Sequence, residues 1–181
     1  MEVRWHGRGG QGAVTAAEIL AQAAIEEGLY AQAMPSFGPE RRGAPVQAFN
    51  RISDRPIRAR GIVRSPDVLV IIDEGLMRFK EVFEGMKSSS SLVVCSLRPA
   101  SEIKRALGLE GVVASVDAIG IALKELGVAV TNTPMLGAFV RATGLVSLST
   151  VAKKVEERFG AKLGPRNAEA VRRAYEATEV A

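Results

Sequence analysis

Gly7-Arg8-Gly9-Gly10-Gln11-Gly12 stands between a strand-like run, Met1 to His6, and an alanine-rich stretch, Ala13 to Glu27. In the first run Val3 and Trp5 alternate with Arg4 and His6, the period-two pattern of a strand. In the second, Ala17, Leu20, Ala21 and Ala24 recur at helical spacing, and Gly28 is placed to cap the C-terminus. A strand, a glycine turn and a helix in this order match the G-x-G-x-x-G pattern. In that pattern the first glycine permits the sharp turn, the second lets an anion approach the backbone, and the third lets helix and strand pack closely. The free amides and positive dipole end of the helix then face whatever anion enters. The turn therefore predicts an α/β domain with an anion-binding loop at the mouth of a parallel sheet.

Outward from the turn, Tyr30 to Met34 reads as a strand ended by Pro35. The proline- and glycine-rich stretch Pro35 to Pro45 reads as a loop, and Val46 to Ile52 alternates as a strand. Ile57 to Arg60 is expected to return beside it. Val68 to Ile72, Leu92 to Cys95 and Val112 to Val116 are apolar without alternation, as strands covered on both faces are. Helices are expected at Gly75 to Met86, Ser101 to Leu107 and Asp117 to Leu126. This alternation argues for a single doubly wound, mainly parallel sheet with flanking helices. The C-terminus reads as helical: Asn132 or Thr133 caps a helix through Ala142, Ser149 caps one through Phe159, and Asn167 caps one to about Glu176. No linker or repeat divides residues 1–181, so one domain is expected.

Composition sets bounds on function. The chain has 181 residues, 47% of them hydrophobic, and its formal charge of +4 is too mild to argue for nucleic acid. The lone Cys95 sits in an apolar run; it reads as a core residue and excludes both an intrachain disulfide and an all-cysteine iron–sulfur site. A basic-then-apolar leader and an 18-residue apolar window are both lacking, so neither secretion nor a membrane span is supported and a cytoplasmic location is expected.

The dinucleotide pattern calls for a carboxylate about 20 residues beyond the glycines to bind the ribose. That region reads Tyr30-Ala31-Gln32-Ala33-Met34, which argues against NAD. Three readings of the turn stay open: tight strand–helix packing, a phosphate-bearing ligand, or a docked partner loop. A second basic element follows. Glu40, Arg41 and Arg42 lie between Gly38-Pro39 and Gly43-Ala44-Pro45, where arginines suit bidentate recognition of phosphate or carboxylate and Glu40 could orient one of them. Arg51, Arg55, Arg58, Arg60 and Arg64 continue the basic character, either as an anion or partner contact or as a charged edge that discourages aggregation. His6 is read as a structural hydrogen-bonding residue, and Asp73 with Glu74 as helix capping at a strand end where ligands often meet α/β folds. Asn132-Thr133-Pro134-Met135-Leu136-Gly137 reads as a helix start.

The glycine turn, the block Pro35 to Pro45, the strand ending Asp73-Glu74 and the stretch Asn132 to Gly137 together resemble the gamma subunit of 2-oxoacid:ferredoxin oxidoreductases, over nearly the whole chain. The resemblance implies oxidative decarboxylation of a 2-oxoacid to its acyl-CoA with reduction of ferredoxin. It also implies alpha, beta and ferredoxin-like delta subunits as partners. Thiamine diphosphate with Mg and the iron–sulfur clusters would belong to the assembly. The Gly-Asp-Gly pattern of a thiamine diphosphate site is missing here and there is one cysteine, so no cofactor is expected on this chain alone and no catalytic residue is assigned. What the resemblance leaves for this chain is assembly and coenzyme A binding. Gly7, Arg8, Gly9, Gly10, Gln11, Gly12, Glu40, Arg41, Arg42 and Asn132 are its candidates for a CoA phosphate or partner-loop site. An independent nucleotide-binding oxidoreductase and a purely structural docking module are the alternatives, and the 2-oxoacid itself is left open.

Overall fold

The apolar runs become strands covered on both faces. In a computed structural model that describes residues 1–36 and 43–181, Val68, Val70 and Ile72 point into one hydrophobic layer and Leu69 and Ile71 into the other. The strands are β1 (Glu2–Arg8), β2 (Tyr30–Pro35), β3 (Pro45–Ser53), β4 (Val68–Ile71), β5 (Ser91–Cys95), β6 (Val113–Val116) and β7 (Glu179–Val180). They form one seven-stranded sheet in the order β2-β3-β1-β4-β5-β6-β7. β1, β4, β5 and β6 pair in parallel, while β3 and β7 run against their neighbours. One face carries α1 (Ala13–Glu26), α3 (Ala118–Leu126), α4 (Asn132–Thr143) and α5 (Leu148–Ala177), and the other carries α2 (Ala100–Leu107) with two short 3-10 helices, Glu74–Arg78 and Lys80–Phe83. The doubly wound, mainly parallel sheet is thus as expected, with a helical C-terminal region.

Trp5 organises the larger layer. Its ring is fully buried and stacks on Phe139 of α4 at 5.8 Å between centroids. Its Nε1–H donates to Asn50 Oδ1 at 2.8 Å, and Asn50 Nδ2 donates to the Ala17 carbonyl of α1 at 2.8 Å. A buried indole N–H needs such a partner. Here that need ties β1, β3 and α1 together at the root of the glycine turn.

Several boundaries differ from the sequence reading, each for a physical reason. Ile57 to Arg60 is not a strand, because β3 already lies between β2 and β1 and has no free edge. Gly75 to Met86 is not one helix but the two 3-10 pieces, parted at Phe79, whose backbone is extended. Ser147, not Ser149, caps α5, its Oγ accepting from the Thr150 N–H at 3.1 Å. Asn132 and Thr133 lie inside α4 rather than capping it, since the helix already begins at Asn132. Asn167 does not start a helix. It sits inside α5, whose only interruption is Gly160 at φ 70° and ψ −179°.

From β1 the chain passes through α1 to β2, on one side of the sheet; from β4 it continues to β5 and β6, on the other. The loops after β1 and β4 therefore part company at neighbouring parallel strands. Such a point opens a crevice at the C-terminal strand ends, where α/β sheets bind ligands.

Candidate functional site

The glycine turn is built from its own hydrogen bonds. Gln11 Oε1 accepts the Arg8 N–H at 2.7 Å, and Gln11 N–H donates to the Arg8 carbonyl at 3.0 Å. Gly7 and Arg8 belong to β1, so the turn begins only after them; the first glycine does not make the bend but packs against Ala13 and Ile72. Gly12 precedes α1 at φ 82°, and a Cβ there would lie 2.6 Å from Asn132 Nδ2. The third glycine therefore makes room for the start of α4 rather than for its own strand. This is how Asn132 comes to the turn: it is buried against Gly12, with Oδ1 accepting the Thr133 N–H at 2.9 Å.

The turn is also joined to the segment that follows the arginine pair. Gly9 N–H donates to the Ala44 carbonyl at 2.8 Å, and Gly43 N–H donates to the Gly9 carbonyl at 3.2 Å. Arg8 Nη1 adds a contact to the Gly43 carbonyl at 3.3 Å. Glu40, Arg41 and Arg42 lie outside the described residues; Gly43, the next residue in the chain, is fixed to the turn. Arg8, Gly9 and Gln11 thus have engaged amides. The first-turn amides of the 14-residue α1, at Ala13, Val14 and Thr15, have no intrahelical acceptor and lie at the positive end of the helix dipole.

Beside the turn, at the switch point, opens a cleft of about 460 Å³ lined by Gln11, Ile72 and Asp73 from the first two loops, and by Ser96, Asp117 and Thr131 from those that follow. Its polar wall is a small network. Asp73 Oδ2 accepts from Arg8 Nε at 2.8 Å and from Gln11 Nε2 at 3.1 Å, while its Oδ1 accepts the Gly75 N–H at 2.9 Å. Asp73 caps the first 3-10 helix, as expected. Glu74 accepts from Ser96 Oγ at 2.8 Å, and Asp117 caps α3 through the Gly120 N–H. Arg8 therefore gives its charge to Asp73, and the remaining carboxylates make the cleft itself unfavourable for a phosphate. Leu97, 82% exposed, and the half-exposed Ile119 form an apolar rim.

The other candidates fall elsewhere. His6 is buried, and its Nε2 has no hydrogen-bond partner among the described residues. Burial, and secondarily the charge of Arg4, push its pKa down to about 4, which keeps the ring neutral. Cys95 is buried as expected, and burial raises its pKa. Among the described residues, no group of three His, Cys, Asp or Glu side chains could hold a metal ion. Sequence reasoning missed Ser96, Asp117 and Thr131 as cleft residues. The signal was available for two of them, since each follows an apolar strand at its C-terminal end.

Comparison with known proteins bears on this arrangement. A family model described as pyruvate ferredoxin/flavodoxin oxidoreductase matches residues 2–177. The pyruvate synthase subunit PorC of Methanothermobacter thermautotrophicus is 52% identical over 179 residues, covering 99% of this chain and 96% of that one. The pyruvate/ketoisovalerate oxidoreductases common subunit gamma of Thermococcus kodakarensis is 49% identical over 181 residues, covering 99% and 98%. The crystal structure of the pyruvate oxidoreductase subunit PORC of Thermotoga maritima superposes with a TM-score of 0.88 at 42% identity, covering 100% of this chain and 98% of that one. Among the described residues, no helix is long and apolar enough to cross a membrane.

Proposed function

The chain belongs to the pyruvate ferredoxin/flavodoxin oxidoreductase family as a gamma-type subunit of a multisubunit 2-oxoacid oxidoreductase, and from that premise we propose that it completes the assembly and holds the phosphates of coenzyme A. The reaction this assigns to the whole complex is conversion of a 2-oxoacid and CoA to acyl-CoA and CO2, with two electrons passed to ferredoxin. Residues 1–181 are read as one such domain, working in the cytoplasm with alpha, beta and ferredoxin-like delta subunits.

The observation that carries the CoA reading is the ladder between Gly9 and Gly43-Ala44. It fastens Gly43, which follows Arg42 in the chain, against the turn that opens α1. Free first-turn amides and the helix dipole attract a phosphate there, and arginine guanidinium groups suit its bidentate recognition. CoA, when bound, supplies the thiol that accepts the acyl group. This chain's own groups bind and orient. Thiamine diphosphate, Mg and iron–sulfur clusters are assigned to other subunits, because the one cysteine is buried and no metal-ligating cluster exists among the described residues.

The test is CoA affinity of the reconstituted complex carrying Arg41→Ala/Arg42→Ala. We expect CoA affinity to fall at least tenfold, the size of one lost charge-assisted contact, with assembly intact. Unchanged affinity in an intact complex removes the CoA role. A second reading has its own support. Glu74 and Asp117 repel phosphate from the neighbouring cleft, and Leu97 and Ile119 rim it, which suits a partner loop with an apolar or basic side chain. Loss of association rather than of CoA affinity in the arginine variant would favour docking at both features.

A further inference from the structure

At the pole opposite the cleft, residues 54–67 connect β3 to β4 without regular structure. A connection this long in a compact fold is usually functional or disordered. Its second half, residues 61–67, is held to the sheet. Arg51, buried on β3, donates from Nη1 to the Gly61 carbonyl at 2.8 Å and from Nη2 to the Ile62 carbonyl at 3.2 Å. Arg4, buried on β1, reaches the Arg64 carbonyl at 3.5 Å and anchors the neighbouring Val82 and Glu84 carbonyls at 2.9 and 2.7 Å. Ser90 Oγ donates to the Pro66 carbonyl at 2.8 Å, and Asp67 N–H to the Glu2 carbonyl at 2.8 Å. Burying two guanidinium groups is costly, and here their donors go largely to backbone carbonyls of this strap and its neighbour.

The strap carries Arg55, Arg58, Arg60 and Arg64 on its exposed side. Among the described residues Arg55 meets only the equally exposed Asp54, at 4.0 Å. Arg58, Arg60 and Arg64 have no carboxylate within ion-pair distance among the described residues. On the helical face several charges are paired: Lys153 and Lys154 meet Glu26, Arg158 meets Glu18, and Arg172 and Arg173 meet Glu169. The strap therefore carries four arginines against two carboxylates, Asp54 and Asp67, and presents a net positive ridge. Ile62, 55% exposed, lies among the arginines.

We propose that this strap is a docking ridge for an acidic face of another subunit of the same oxidoreductase. Arginine interleaved with aliphatic side chains is interface composition. A nucleic acid is the poorer fit, since residues 54–67 contain no aromatic side chain for stacking and the whole chain carries only +4. The inference rests on the chain being a subunit, and its test is separate from the CoA test.

Association of this chain with its remaining subunits is followed kinetically at low salt and at about 0.15 M, where the Debye length is near 8 Å. Arg58→Glu/Arg60→Glu/Arg64→Glu is expected to lower the association rate constant about tenfold or more at low salt and to flatten its salt dependence. The matched Lys variant keeps most of the rate, and circular dichroism confirms that both are folded. A wild-type rate in the Glu variant overturns the proposal, as does equal loss in the Lys and Glu variants, which would mean packing rather than charge. Duplex DNA or RNA binding abolished by the reversal, with subunit association untouched, assigns the ridge to nucleic acid instead. Failure of the wild-type chain to join the other subunits sinks both this inference and the assembly role. Normal joining by the reversed variant sinks this one alone.

Discussion

Gly12 combines a backbone demand and a packing demand in one residue. Its φ of 82° is the left-handed region that an L side chain enters at a cost of roughly 1–2 kcal/mol, and the space a Cβ would take is filled by Asn132. Gly12→Ala should therefore destabilise the chain by about 2 kcal/mol or more, read as a lowered denaturant midpoint. Adding Asn132→Ala should recover the steric part and leave the conformational part. Full recovery would mean that the backbone is unstrained. His6 gives a prediction of opposite character, in pH. Its folded pKa of about 4 lies below the unfolded value of 6.5, so between those values the unfolded chain binds the proton and the folded one does not. Stability should fall as pH drops from 6.5 toward 4, by up to about 3 kcal/mol from this group. The unfolding free energy of His6→Gln, measured across that window, should show a shallower fall than wild type; parallel curves would show that His6 titrates normally in the folded chain.

At the scale of elements, the link between α4 and α5 is polar as well as apolar. Thr133 Oγ1 donates to Asn167 Oδ1 at 3.0 Å, and Asn167 Nδ2 donates back to the Leu163 carbonyl at 2.9 Å. Asn167→Ala leaves the buried Thr133 hydroxyl without that acceptor and should cost about 1–3 kcal/mol, whereas the double variant with Thr133→Val should lose less than the two single costs added. Strict additivity in that cycle would mean the bond contributes nothing. The same pair shows where the sequence was legible. Strands covered on both faces declare themselves as unbroken apolar runs, and the Ala13 to Glu27 periodicity found α1 because its alanines pack directly on β1 and β3. Asn167, by contrast, reads as a cap because asparagine favours caps, and only the packing of α5 on α4 shows it bridging two helices. The 3-10 pieces after β4 and the two-residue β7 were equally hidden, since short elements are set by tertiary contacts more than by their own periodicity. Of the candidate site, Gly12 and Asn132 were named separately. Their contact follows from topology that no local spacing encodes.

At the scale of the whole molecule, the turn and the arginine strap stand at opposite ends of β1, whose seven residues at about 3.3 Å each set them roughly 20 Å apart. Among the described residues no hydrogen-bond network joins them: Arg8 works toward Asp73 and Gly43, Arg51 and Arg4 toward the strap. The two proposed roles, at opposite ends of one sheet, should be separable. Arg8→Ala removes the guanidinium that balances Asp73 and leaves a bare carboxylate beside the proposed phosphate site. It should weaken CoA binding by the complex about tenfold, the order of one charge-assisted interaction, while association of the chain with its partners keeps its wild-type rate. The reversed strap should do the converse. Combined in one chain, the two sets of substitutions should show logarithmic effects that add, with a coupling below about 0.5 kcal/mol on either readout. A larger coupling would mean that subunit docking at the strap reshapes the turn, and the sheet would then transmit between its poles instead of merely holding them apart.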